Sequence, residues 1–213
     1  MGTCYIVGAG DFSPRDLKLK DGDFVIAADG GLLPLLSLGV KPDLLIGDLD
    51  SLGGERLIPA EVPLQKLRPE KDDTDTAVSL QTAFDLGYRD FRLYGCSGGR
   101  ADLLLSNYQL MGRYSRMGAG LRLVAPDYDA YALTNGTLVL PHRARGTTVS
   151  VFCHGERAEG VTLKGLKYPL DAYTLTCDRP LGVSNEHLDG TASVEVTNGT
   201  LLIFQWLAPR QRA

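Results

Sequence analysis

Asp48 and Asp50 flank Leu49 in the segment Gly47-Asp48-Leu49-Asp50-Ser51, directly after the apolar run Leu44-Leu45-Ile46. If the backbone stays extended there, alternate side chains share a face and the two carboxylates lie about 7 Å apart, a span that suits one hard cation. Asp-x-Asp is also an ordinary turn pattern, because aspartate favours loops after strands. Placement favours the cation: in open α/β sheets, ligands bind beyond the carboxyl ends of strands. Three further loops have similar character: Ala28-Asp29-Gly30-Gly31, Lys71-Asp72-Asp73-Thr74-Asp75 and Gly98-Gly99-Arg100-Ala101-Asp102. Converging carboxylates repel one another unless something positive sits among them. Mg2+ carrying a nucleotide phosphate is the leading candidate.

Asp72, Asp73 and Asp75 open a helical pattern, where the dipole and the free N–H groups stabilise negative charge. Capping is therefore one reading, but the turn holds more acid than a cap needs. The surplus points to Asp75 as a third carboxylate facing the metal, with Asp73 solvated and Lys71 neutralising the cluster or contacting phosphate. Gly95-Cys96-Ser97-Gly98-Gly99-Arg100 lacks the Gly-Lys-Ser/Thr ending of a P-loop, yet its glycines let backbone N–H groups approach an anion at a helix start. Arg100 offers a fork for phosphate oxygens or, alternatively, an ion pair with Asp102. Gly8-Ala9-Gly10 is a weak dinucleotide signal, with no third glycine and with Ser13-Pro14 close behind.

Apolar continuity marks Tyr5-Ile6-Val7, Phe24 to Ala28 and Leu44 to Ile46 as buried parallel strands, and Arg92-Leu93-Tyr94 as another. Helical spacing marks Gly31 to Leu38, Thr74 to Leu86 before Gly87, and a long segment through Leu104, Tyr108, Met111 and Ser115. Beyond Pro126 the pattern becomes short alternating segments: 137–140, 147–151, 161–163, 173–175, 193–196 and 201–204. Asn135-Gly136 and Asn198-Gly199 signal hairpin turns. The expected architecture is an N-terminal open, mostly parallel α/β sheet domain over 1–125, followed over 126–213 by an all-β domain, a sandwich or a barrel.

Hydrophobic residues at 44% and charged residues at 23% fit a soluble globular chain, and the net charge of -4 offers nothing to nucleic acid. No apolar stretch approaches the roughly 20 residues needed to cross a bilayer, and the N-terminus lacks a signal-peptide layout, so no membrane partner and a cytoplasmic location are expected. Cys4, Cys96, Cys153 and Cys177 are too dispersed for a zinc site, and His142, His154 and His187 are equally scattered.

In their order these loops resemble the thiamine pyrophosphokinase family. The matching segments are Ala28 to Gly31, Pro42-Asp43 through Ser51, Glu70 to Asp75, and Gly98 to Asp102 with Asn107. In the β half, Thr162 to Leu170 and Ser184-Asn185-Glu186 match as well, so the resemblance runs over nearly the whole chain. It implies a homodimer, with active sites at the subunit interface, that transfers the diphosphate of ATP to the hydroxyethyl oxygen of thiamine, giving thiamine diphosphate and AMP. The N-terminal half would bind ATP and Mg2+, and the C-terminal half, a β-sandwich, would bind thiamine and dimerise.

Residue by residue, the resemblance implies metal ligands at Asp48, Asp50 and Asp75. It implies ATP or phosphate contacts at Asp29, Gly30, Lys71, Asp72, Gly98, Gly99 and Arg100, and thiamine contacts at Tyr168, Ser184 and Asn185. Asp75, Arg100 and Asp102 would act in catalysis, with Asp102 orienting the hydroxyl or accepting its proton. Tyr168 stands where some members have tryptophan, and an aromatic there either stacks on the cationic ring or packs within the sheet. Many members place histidine after the aspartate of the Gly-Gly-Arg motif, whereas Leu103 stands here. A Mg2+-dependent nucleotide phosphohydrolase, or a non-catalytic nucleotide- or thiamine-binding module, would use the same acid cluster.

Overall fold

The computed structural model describes residues 1–49, 58–68 and 73–209. The chain divides into two compact units, one of Met1–Asn107 with Leu123–Pro126, the other of Tyr108–Arg122 with Asp127–Ala213. It is a mixed α/β protein with many strands and few helices.

In the first unit, β1 (Cys4–Val7), β2 (Phe24–Ala28), β3 (Leu44–Gly47), β4 (Leu64–Lys66) and β5 (Asp90–Tyr94) lie in the order β5-β1-β2-β3-β4. Every pair among them is parallel. The chain lays down β1 to β4 in one direction and then returns to add β5 on the other side of β1, which opens a crevice at the C-terminal ends of β1 and β5. Sequence reading finds four of these strands and misses β4, which is three residues long and exposed throughout.

Helix α1 (Leu32–Ser37) follows a 3-10 turn at Asp29–Gly31 and buries Leu32 and Leu35. Helix α2 (Asp75–Asp85) buries Leu80 and Ala83, takes Thr74 as its N-cap and is followed by Gly87 at φ 97. The core of this unit joins Tyr5, Val7, Val25, Ala27, Leu45 and Tyr94 to Leu32 and Leu35. Helix α3 (Ala101–Arg116) and strand β6 (Gly120–Val124) run across the division of the chain.

The second unit holds β7 (Tyr128–Val139), β8 (Thr148–Cys153), β9 (Arg157–Lys164), β10 (Leu170–Thr176), β11 (Asn185–Glu186) and β12 (Ser193–Trp206), with all pairs antiparallel. β12 organises it. One edge of β12 pairs with β7, while the other gives Ser193–Asn198 to β9 and Leu201–Gln205 to β8. Val149, Val151, Val161, Leu163, Val194, Val196, Leu201 and Ile203 close the core on one face. Asp129, fully buried, is held by Arg122 at 2.9 Å and Arg143 at 3.2 Å.

The hairpins expected at the two Asn-Gly steps are absent. Asn135-Gly136 lies inside β7 and Asn198-Gly199 inside β12, opposite each other, where the register slips between Val196↔Gly136 and Thr200↔Thr134. Asn135 at φ 47 and Gly199 at φ 119 adopt the left-handed conformation that such turns need, and Gly199 N donates to Asn135 Oδ1 at 2.9 Å. One left-handed residue on each strand builds a bulge, whereas a type I′ turn needs two in succession. Consequently 193–196 and 201–204 belong to one long strand.

Candidate functional site

Four strand ends of the first unit converge on a cleft of about 530 Å3. Gly8 to Gly10 leave β1, Ala28 and Asp29 leave β2, Asp48 leaves β3, and Gly95 to Arg100 leave β5; Asp73 to Thr76 complete the wall from the start of α2.

The β1 and β5 exits are joined backbone to backbone. Gly8 N donates to Tyr94 O at 2.8 Å, Gly10 N to Gly95 O at 2.7 Å and Asp11 N to Ser97 O at 2.7 Å. A Cβ on Gly10 would overlap the Ser97 carbonyl, and one on Gly95, at φ 58, would overlap the Gly8 carbonyl. These glycines extend the strand pairing past the sheet, which accounts for Gly8-Ala9-Gly10 without a dinucleotide. Asn107, buried in α3, donates to Cys96 O at 2.9 Å and fixes the same turn. Burial pushes the Cys96 thiol up to about 11, so it stays protonated and inert.

Asp29 sits at φ 48, and its Oδ1 is buried without a hydrogen-bond partner among the described residues. Such backbone strain in a residue other than glycine, together with an uncompensated carboxylate oxygen, marks a place built for something else. Gly47 makes room for it, since a Cβ there would come within 3.0 Å of Asp29 Cα.

Asp48 lines the cleft, but Leu49, at φ 71 and 5% exposed, turns inward to the core. The extended geometry assumed for Asp48-Leu49-Asp50 therefore breaks at Leu49, and the alternation argument does not apply. Asp50, Lys71 and Asp72 lie outside the described residues. At α2 the cap belongs to Thr74, whose Oγ1 accepts from Ala77 N at 3.2 Å. Asp73 and Asp75 both line the cleft without serving as the cap, so the residue read as merely solvated, Asp73, joins the site.

Gly98, Gly99 and Arg100 also line the cleft. Arg100 Nε and Nη2 bind the two Asp102 carboxylate oxygens at 3.1 and 2.5 Å, the ion pair that was the alternative to a phosphate contact. Both side chains are exposed, so water screens the pair and an anion can exchange for Asp102. The guanidinium beside Asp102 holds that carboxyl below the usual range, which makes it a weak proton acceptor.

Among the described residues, no group of at least three His, Cys, Asp or Glu side chains is placed to hold a metal. Mg2+ does not require one: it retains several waters and takes one or two carboxylates together with substrate phosphates. Asp29, with its orphaned oxygen, and Asp48 and Asp75 on the same walls fit that demand.

In the second unit, Ser184 lines a pocket of about 420 Å3 walled by Tyr108, Tyr128, Phe152, Phe204 and Trp206, with Thr148 and Ser150 supplying hydroxyls. Tyr128 and Trp206 rings lie 5.4 Å apart, and the Tyr108 and Tyr128 hydroxyls bond at 2.6 Å. Ser184 is held at φ 59, with its N–H on Ser150 Oγ at 3.1 Å. Tyr168 and Asn185 do not line this pocket. Asn185 Oδ1 accepts from Tyr168 N at 2.9 Å and its Nδ2 donates to Tyr168 O at 2.7 Å, so its amide clamps main chain. Tyr168 is 58% exposed, with Lys167 Nζ 5.3 Å from its ring centroid. Sequence reading misses Tyr108, Tyr128 and Trp206; the signal available was the single tryptophan of the chain, closing the last strand.

Two family descriptions match the chain: "Thiamin pyrophosphokinase, catalytic domain" over residues 16–123 and "Thiamin pyrophosphokinase, vitamin B1 binding domain" over 137–201. The chain is 27% identical over 183 residues to the thiamine pyrophosphokinase of Bacillus subtilis, covering 84% of this chain and 86% of the relative. It is similar to the crystal structure of that species' thiamine pyrophosphokinase, with TM-score 0.86, 25% identity, and 96% and 99% of the two chains covered. A crystal structure of thiamin pyrophosphokinase from Geobacillus thermodenitrificans matches at TM-score 0.81 and 26% identity, over 96% and 97%.

Proposed function

The chain belongs to the thiamin pyrophosphokinase family, and from that premise we propose that it transfers the diphosphate group of ATP to the hydroxyethyl oxygen of thiamine, giving thiamine diphosphate and AMP. The observation that carries this reading is the crevice at the ends of β1 and β5, where glycine-rich backbone meets Asp29, Asp48 and Asp75. Backbone N–H groups and acids that gather a cation are what a polyphosphate needs for binding and alignment. The first unit would be the ATP-binding and catalytic part and the second, a β-sandwich, the thiamine-binding part.

The acceptor oxygen attacks the β-phosphorus in line, the bond to the oxygen between the α- and β-phosphorus breaks, AMP leaves and the hydroxyl proton is released. Positioning dominates such a transfer. Mg2+, when bound, neutralises developing charge on the phosphate oxygens, and Asp48, Asp50 and Asp75 with Asp29 would hold it. The N–H groups after Gly98 align the polyphosphate, and Arg100 leaves Asp102 to meet it. Asp102 then accepts a hydrogen bond from the hydroxyl and orients it. Leu103 lines the cleft and supplies no base. The aromatic walls and hydroxyls around Ser184 suit the flat, cationic rings of thiamine. We place the protein in the cytoplasm as a homodimer with active sites at the subunit interface, which light scattering tests.

One assay decides among the readings: incubation with ATP and Mg2+, with and without thiamine. Transfer gives AMP only with thiamine, hydrolysis ignores thiamine, and a binding module gives no AMP. Near-normal thiamine-dependent AMP release by Asp48→Asn at saturating Mg2+ would refute the metal assignment.

A further inference from the structure

Of the four cysteines, Cys4 and Cys96 are buried, their thiols pushed up to about 12 and about 11 by that burial. Cys153, at the end of β8, is half-buried, and Cys177, just past β10, is exposed. These two share surroundings twice. Both line a groove of about 790 Å3 and both line a chink of only about 20 Å3, between Val151, Leu175, Arg179 and Leu181. A chink of that size holds about one water, and Cys177 is near enough that, after burial, its charge also pushes the Cys153 thiol up. Cys177 sits in a turn whose N–H donates to Glu156 O at 3.2 Å, which pins it beside the turn that leaves β8 three residues after Cys153.

From Cys177 the chain runs back along β8 as a strap. Val151 N donates to Gly182 O at 2.9 Å, and Ser184 N reaches Ser150 Oγ at 3.1 Å. One end of the strap is Cys177 and the other carries Val183 and Ser184 into the aromatic pocket.

We propose that Cys153 and Cys177 are a redox-active pair that closes into a reversible disulfide and tethers this strap to β8, fixing the Val183–Ser184 wall of the pocket. The oxidant is a small disulfide of the glutathione class. Cys177 thiolate attacks one of its sulfurs, forming a mixed disulfide and expelling the first small thiolate. Cys153, deprotonated, then attacks the Cys177 sulfur and expels the second. The two protein thiols lose two electrons and two protons, and the small disulfide becomes two thiols. Closing the bond requires the turn at Cys177, where the side chain is exposed, to shift until the pair reaches disulfide geometry.

The test equilibrates the full chain with glutathione at graded ratios of oxidised to reduced form. Expected are loss of two thiols by titration, a 153–177 cross-linked peptide by mass mapping, restoration by dithiothreitol, and slower amide exchange over 178–184 in the oxidised protein. Cys153→Ser is expected to stop at a mixed disulfide on Cys177, and Cys177→Ser to give neither product. Four thiols surviving oxidised glutathione, a cross-link through Cys4 or Cys96, or a wild type that halts at the mixed disulfide each overturns the proposal. None of these readouts uses catalysis, so they stand apart from the transferase assay.

Discussion

Replacing Asp29 by asparagine separates a charge kept for a ligand from one kept for the fold. Among the described residues the buried Oδ1 of Asp29 has no hydrogen-bond partner. An unsatisfied buried acceptor costs about 1–3 kcal/mol, more when charged, and the neutral amide is cheaper to desolvate. Asp29→Asn is therefore expected to stabilise the metal-free protein by about 1 kcal/mol, raising Tm by roughly 2–4 °C for a chain of this size. With Mg2+ and ATP the order reverses. The carboxylate lost to the cation should raise the Mg2+ concentration for half-maximal AMP formation at least tenfold, equivalent to about 1.4 kcal/mol. Differential scanning fluorimetry with and without Mg2+ and ATP reads the first effect, and thiamine-dependent AMP release against Mg2+ reads the second. A variant that is less stable without metal and has an unchanged Mg2+ requirement would show that Asp29 serves the fold, and the reasoning would fail.

Asp129→Ala leaves Arg122 and Arg143 facing each other without their shared carboxylate; urea unfolding should show a loss of about 3–5 kcal/mol. His187, 1% exposed, is held neutral by burial and by Arg143, which lower its pKa below the ordinary 6.5. Because the unfolded chain takes up that proton first, stability is complete above 6.5 and falls as pH drops below it; His187→Gln should flatten this acid-side slope in urea titrations. Trp206, the single tryptophan, walls the aromatic pocket. Thiamine should quench its fluorescence, and Trp206→Ala should raise the KM for thiamine at least tenfold while leaving the KM for ATP within twofold.

The first unit was largely legible because its signals are local: buried parallel strands are apolar throughout, and Thr74 and Gly87 bracket α2 with their own chemistry. The acid and glycine loops could be placed at strand ends for the same reason. What escaped depends on partners distant in the chain. Asn135-Gly136 and Asn198-Gly199 read as turns because nothing local says that each will face the other across two strands. Leu49 looked like part of an extended segment, yet the core takes its side chain and the backbone turns to allow it. The clamp of the Asn185 amide on Tyr168 main chain, and the meeting of Tyr108, Tyr128 and Trp206, likewise form only after the strands pair.

The position of β12 bears on how the chain is made. Three strands need it as a neighbour, and in chain order it follows all of them. During synthesis the first unit can assemble on most of its own length, while β7, β8 and β9 emerge with unfilled edges and wait for a partner the ribosome has not yet supplied. That interval, in which apolar ladders stand open, is when nascent chains of this protein are most exposed to sticking to one another.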